Sequence, residues 1–231
     1  QYLDFHGLYD REKLFWKTIE DVIITVACAP PGGGRNPLTP RFVRHFGMLL
    51  IPSPDEPTLK LIFRSIMSGF LEDFSKPVAE LGDPMVNAAV EIYERIATDL
   101  LPTPTKSHYV FNLRDLSKCV QGILQADSGT LRDPPSMLRL FYHECLRVFH
   151  DRLINMEDKS YFYFLMKEIC IRAFNAVVLP LPDEPVIKQP PVLIFGDFMQ
   201  IGAAAENKIY EEITNLEKFQ DVLQFVMTLS I

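Results

Sequence analysis

The spacing of apolar residues changes along this chain, and the changes predict where strands give way to helices. Val22, Ile23, Ile24, Thr25 and Val26 form an unbroken, mostly β-branched run, the pattern of a strand covered on both faces. Pro30 and Pro31 end it, since neither can donate a ladder hydrogen bond. Residues 8–16 read as a turn between two short strands, and residues 48–51 as a further strand. Pro52, Pro54 and Pro57 then mark a boundary. Beyond it Leu59, Ile62, Phe63, Ile66, Phe70 and Leu71 recur at helical spacing.

A second helix is predicted from about residue 84 to 101, burying Val86, Ala89, Val90, Tyr93 and Ile96, with Pro102 and Pro104 ending it. A third starts at Asn112, which suits the cap, with Asp115 near the positive end of the first turn. A fourth opens at Pro134 and Pro135 and buries Leu138, Phe141, Leu146, Phe149 and Leu153. A fifth covers roughly residues 159–174. Pro180, Pro182, Pro185, Pro190 and Pro191 read as a stiff linker, followed by a strand at 192–195 and one or two helices over 205–229. No internal repeat is visible.

Two strands are too few for a covered parallel sheet, so residues 22–28 are expected to pair with strands absent from this sequence. The chain is read as a fragment of class α/β, mainly α. It would hold the end of one α/β subdomain, a complete helical bundle and the first elements of a further module.

Composition narrows the function. The 231 residues suffice for one or two domains, and 48% of them are apolar, which excludes a disordered chain. A formal charge of −7 argues against a nucleic-acid surface. The longest apolar stretches fall short of the roughly 18 residues a membrane helix needs. Cys28, Cys119, Cys145 and Cys170 are far apart, with no paired-cysteine motif, and read as buried free thiols in a reducing, cytosolic-side compartment.

Few residues carry chemistry of their own. Gly32, Gly33, Gly34 and Arg35 lack the Gly-Lys-Ser/Thr that opens a phosphate-binding helix, and that tripeptide occurs nowhere in the chain. No apolar strand ends in paired carboxylates suited to Mg²⁺, so the chain lacks the parts for phosphoryl transfer by itself. His143 and His150 are seven apart on an apolar helix, not the four apart that a zinc site of that kind needs. Arg41 and Arg44 share a helical face. Arg114 stands in the first turn of the third helix, where a guanidinium and free amides together make an anion site, or where it pairs with Asp115 or another nearby acid.

The strings Val22-Ile-Ile-Thr-Val-Ala-Cys28, Thr39-Pro40-Arg41-Phe42-Val43-Arg44-His45-Phe46, Lys106-Ser-His-Tyr-Val-Phe-Asn-Leu-Arg-Asp-Leu-Ser-Lys-Cys-Val-Gln-Gly122, Phe149-His-Asp-Arg-Leu153 and Ile194-Phe-Gly-Asp-Phe198 occur in this order. In order and spacing the chain resembles the third AAA+ module of axonemal dynein heavy chains, inner-arm-like, from near residue 1 to about residue 200. The resemblance implies that residues 1–54 end the third large α/β subdomain. It makes residues 55–180 the helical lid, and residues 181–231 the linker and first elements of the fourth module.

The same resemblance assigns residue roles. Arg41 becomes an arginine finger acting on the neighbouring module's nucleotide, and Arg44 a second candidate or a local pairing residue. Arg114 becomes the sensor II arginine. Ala29 stands at the sensor I position, where many members carry Asn; alanine cannot orient water, which implies a slow or regulatory site. Gly196 and Asp197 lie near where the fourth module's adenine would bind, although glycine there also suits a turn.

The function implied is part of the ring of an ATP-driven, minus-end-directed microtubule motor of the ciliary axoneme. Its cofactors would be ATP or ADP with Mg²⁺ in the intact parent, with none expected on the fragment alone. Its partners would be the other ring modules, microtubules and the axonemal dynein intermediate and light chains, with no nucleic acid and no membrane. The alternative from the residues alone is a non-catalytic helical adaptor that binds protein partners.

Overall fold

Helical periodicity governs most of the architecture. In a computed structural model the described residues are 1–29, 36–181, 187, 192–200 and 208–229, the last four of these by backbone alone. They divide into two units, residues 1–53 and 54–231.

The first unit contains α1 (Tyr2–Phe5), β1 (Gly7–Tyr9), β2 (Trp16–Thr18) and α2 (Pro40–Val43). The strands β1 and β2 pair antiparallel, with Gly7 opposite Thr18 and Tyr9 opposite Trp16. Tyr9 and Trp16 meet edge to face at 5.0 Å. Asp10 turns the hairpin by accepting the amides of Glu12 and Lys13 at 3.0 and 2.9 Å, and Leu14 takes a left-handed backbone at φ 53°.

The strands expected at 22–28 and 48–51 do not form. A strand exists by pairing, and no partner ladder reaches these residues among those described. The expected proline–glycine loop at 30–35 lies outside the described residues, as do most of the linker prolines and residues 201–207.

The second unit is a bundle of α3 (Glu56–Phe70), α4 (Lys76–Ala79), α5 (Gly82–Asp99), α6 (Leu113–Ile123), α7 (Pro134–Val148) and α8 (Met156–Phe174). α3, α6 and α7 start where a short acceptor side chain meets free amides. Asp55 accepts from Thr58 N at 3.1 Å, Asp133 from Ser136 N at 3.1 Å, and Asn112 from Arg114 N at 2.9 Å. α8 stops at Asn175 in the left-handed conformation, φ 51°.

α5 packs on α3, α6 and α8, while α6 lies along α7. The core they enclose includes Met67, Ile92, Ile96, Leu116, Phe141, Phe149 and Phe162, each almost wholly buried. Cys119 and Cys145 are buried with their sulfurs 3.5 Å apart, and burial pushes the Cys145 thiol well up. Cys170 is buried too, but Cys28 is exposed, against expectation, because the strand expected to carry it does not form.

A last pair of strands, β3 (Phe195–Gly196) and β4 (Glu211–Glu212), closes antiparallel and is followed by α9 (Leu216–Leu229). The strand expected at 192–195 thus shrinks to two residues, and helix is absent at 210–213, where chain pairing with Ile194 O and Phe195 wins.

The hairpin docks on α7. His143 Nδ1 lies 3.0 Å from Leu193 O, Tyr210 OH donates to Glu144 Oε1 at 2.6 Å, and Arg139 holds Glu212 through both guanidinium arms. Burial raises the Glu144 and Tyr210 acids and lowers the His143 imidazolium. His143 and Glu144 therefore hold structure together. Gly122 of α6 leaves room for this cluster, since a Cβ there would lie 1.8 Å from Glu144 Oε2.

Candidate functional site

The first turn of α6 is where fold and chemistry meet. Asn112 caps it from both directions. Its side chain accepts the Arg114 amide, and its own amide donates to Asp115 Oδ2 at 3.0 Å. This reciprocal box satisfies two of the amides that a helix start leaves open. Asp115 is buried and pairs with Arg152 Nη1 at 3.0 Å.

The acid that offered Arg114 an alternative local partner is therefore taken by another cation. Arg114 is exposed and makes no ion pair among the described residues. It faces an open cleft of about 410 Å³, shared with Asn112, Asp115, Lys118, Arg147, Val148 and Arg152.

Four cations and one carboxylate line this cleft, so its field favours an anion. Arg147 is partly neutralised by Asp151 at 3.0 Å. Lys118 is exposed, and like Arg114 it has no ion-pair partner among the described residues. The donor set suits phosphate oxygens: a planar guanidinium and an ammonium one helical turn apart. Nothing in the cleft is built to hold an adenine ring or Mg²⁺, and no group of acids, histidines and cysteines among the described residues gathers as a metal site.

Lys118, Arg147 and Arg152 were not singled out from sequence. Lys118 was legible as the residue four after Arg114, whereas Arg147 and Arg152 come to the cleft through tertiary packing of α6 on α7.

The other candidates stand apart. Arg41 lies on α2 with its side chain exposed and free of ion pairs among the described residues. Arg44, at the end of the same helix, is taken up by Asp4 at 2.5 Å and by His45 Nε2 at 3.2 Å. Ala29 is exposed outside any strand. Gly196 sits in β3, where a Cβ would meet the Phe198 ring at 2.4 Å, so a close approach requires glycine. Asp197 is exposed beside it. Within the second unit, Gly196 and Asp197 belong to the hairpin on α7 and do not line the α6 cleft.

Comparison with known proteins decides the family. Residues 63–159 match the family described as dynein heavy chain, ATPase lid domain, and residues 1–54 match the P-loop containing dynein motor region. Over 97% of its length the chain is 56% identical to human dynein axonemal heavy chain 6. It is 40% identical to human dynein axonemal heavy chain 1 over 97%, and 39% to rat dynein axonemal heavy chain 12 over 96%. The chain belongs to the axonemal dynein heavy chain family.

It spans only 5% of heavy chains 6 and 1 and 8% of the rat heavy chain 12 sequence. Within this dynein segment the lid match takes in most of α3, all of α4 to α7 and the start of α8, and the motor-region match takes in the first unit. The fold class is that of an AAA+ module's end followed by a helical lid. In the described residues no helix is long and apolar enough to cross a membrane.

Proposed function

We propose that this dynein segment supplies the sensor, arginine-finger and lid elements of the third AAA+ module in an ATP-driven, minus-end-directed microtubule motor of the ciliary axoneme. Residues 1–54 end the third large subdomain, residues 55–180 are its lid, and residues 181–231 enter the fourth module. Arg114 meets the phosphates of the third module's nucleotide and couples their presence to lid position. Arg41 reaches the nucleotide of the second module, and Arg44, held by Asp4, serves the first unit locally. The parent works with ATP or ADP and Mg²⁺, and it assembles with the other ring modules, microtubules and axonemal intermediate and light chains. The segment alone, without a phosphate loop, is inactive.

The observation that carries this reading is Arg114, without an ion pair among the described residues, on a first turn held by a capping box, over a cleft lined mainly by cations. Arg114 is left without an ion-pair partner among the described residues while Arg147 and Arg152 are paired, and is available to a ligand.

The test is binding of a fluorescent ATP analogue with Mg²⁺ to this chain and to a longer dynein segment that includes the upstream phosphate loop. The longer segment should bind, the 231-residue chain should not, and Arg114→Ala in the longer segment should weaken binding about tenfold, equivalent to about 1.4 kcal/mol. Unchanged affinity in Arg114→Ala would remove the sensor role and return the bundle to an adaptor reading. Tight binding by the short chain would contradict the division of labour proposed for it.

A further inference from the structure

Arg152 makes more varied contacts than any other cation of the α6 cleft, and all of them converge on residues 108–115. Its Nη1 lies 3.0 Å from Asp115 Oδ2. Its Nη2 donates to the carbonyl oxygens of His108 and Val110 at 2.9 and 3.0 Å. The guanidinium carbon sits 4.8 Å over the Phe111 ring, and His108 Nε2 lies 3.0 Å from the Arg152 carbonyl oxygen. Arg152 belongs to the 3₁₀ turn that follows α7. One side chain thus ties the end of α7 to both sides of the Asn112 cap, gripping the segment that enters α6 and the acid that completes its capping box.

The rest of α6 does not need this grip. Leu116, Cys119, Val120 and Ile123 are buried in the bundle core and hold the helix body against α7. Arg152 governs only the first turn, the turn that carries Arg114. A helix start frays unless its caps are held, and a frayed first turn would let Arg114 wander over many positions.

We propose that Arg152 is a positioning residue for phosphate sensing: it locks the capped first turn of α6 so that Arg114 is presented over the cleft in one orientation. This rests on the reading of Arg114 as the phosphate sensor. Arginine is required because only a planar fork reaches Asp115 and two carbonyls while stacking on Phe111; lysine could keep the Asp115 pair alone.

The experiment uses a dynein heavy chain that contains this segment, with N-methylanthraniloyl-ATP as probe, comparing Arg114→Ala, Arg152→Ala, Arg152→Lys and the Arg114→Ala/Arg152→Ala double variant. Amide hydrogen exchange is followed on the same proteins. Arg152→Ala should weaken binding at the third module about tenfold, and the double variant should be no weaker than Arg114→Ala, because residues that act through one another do not add. Arg152→Lys should recover only part of the loss. Exchange should quicken at residues 113–115 and stay unchanged at 119–123.

Wild-type affinity in Arg152→Ala, with Arg114→Ala impaired, would overturn the positioning role and leave the sensor reading intact. Losses that multiply in the double variant would overturn it too, as would quickened exchange through the whole lid. Wild-type affinity in Arg114→Ala would overturn both readings.

Discussion

Ile23 and Leu49 are 92% and 91% exposed, whereas Ile92 and Ile96 are wholly buried, although all four side chains are similarly apolar. The first pair lies in runs with strand composition and the second on α5. A helix closes its own backbone hydrogen bonds and needs only a neighbour for one face. A strand needs partners at both edges before its side chains can be covered. The bundle therefore builds most of its core within residues 56–174, joined by Leu179, Ile187, Leu193 and Phe195, while residues 22–28 and 48–51 leave their apolar side chains uncovered.

The sharpest way to break that contrast is to remove one large side chain from each region. Phe141→Ala should destabilise the chain by about 3–5 kcal/mol, since its ring is wholly buried. Ile23→Ala should stay within about 0.5 kcal/mol. Denaturant titrations of the two variants measure the difference, and comparable losses would mean that residues 22–28 pack after all.

A smaller effect tests whether the bundle is packed tightly where the hairpin joins it. Alanine in place of glycine normally stabilises a helix by about 1 kcal/mol. Gly122→Ala should instead cost about 1–3 kcal/mol, because the added Cβ displaces Glu144 from Tyr210. Tyr210 fluorescence or proteolysis after residue 208 would report release of the hairpin. A stabilised variant would show that Glu144 moves aside freely.

The smallest effect concerns pH. Burial depresses the His143 pKa below its ordinary 6.5. Between that value and the lower folded one the unfolded chain binds more protons, so this contribution to stability is present above pH 6.5 and is lost as pH falls. His143→Asn keeps a donor for Leu193 O and removes the titration. Its stability relative to wild type should improve progressively as pH falls below about 6.5, read from melts at a series of pH values. Comparing variant with wild type cancels the opposite trend of Glu144, whose buried carboxyl is raised. Parallel curves would mean that His143 is not desolvated.

Much of the helical unit was legible before any coordinates. Asn112, Asp115, Pro134 and Pro135 announced the starts of α6 and α7 through capping chemistry that acts within a few residues. Arg114 stood out for the same reason. Its freedom did not, because sequence left open a pair with Asp115, and the rival Arg152 lies thirty-seven residues further on. Residues 210–213 were misread as helix, since their pairing with residues 194–196 depends on contacts with α7 that no local pattern encodes.

Sequence by itself determined the order of the helices, their caps, the absence of a phosphate loop and the strings that the dynein family shares. Those properties depend on neighbours a few residues apart or on residue identity alone. Tertiary structure decided which cation Asp115 keeps, that Arg114 and Lys118 face a common cleft, and that Glu144 occupies the space left by Gly122. It also decided that the apolar runs of the first unit stay uncovered. Each of those outcomes is a competition between groups distant in the chain, settled only when α6 and α7 pack side by side or when a strand fails to find its partner.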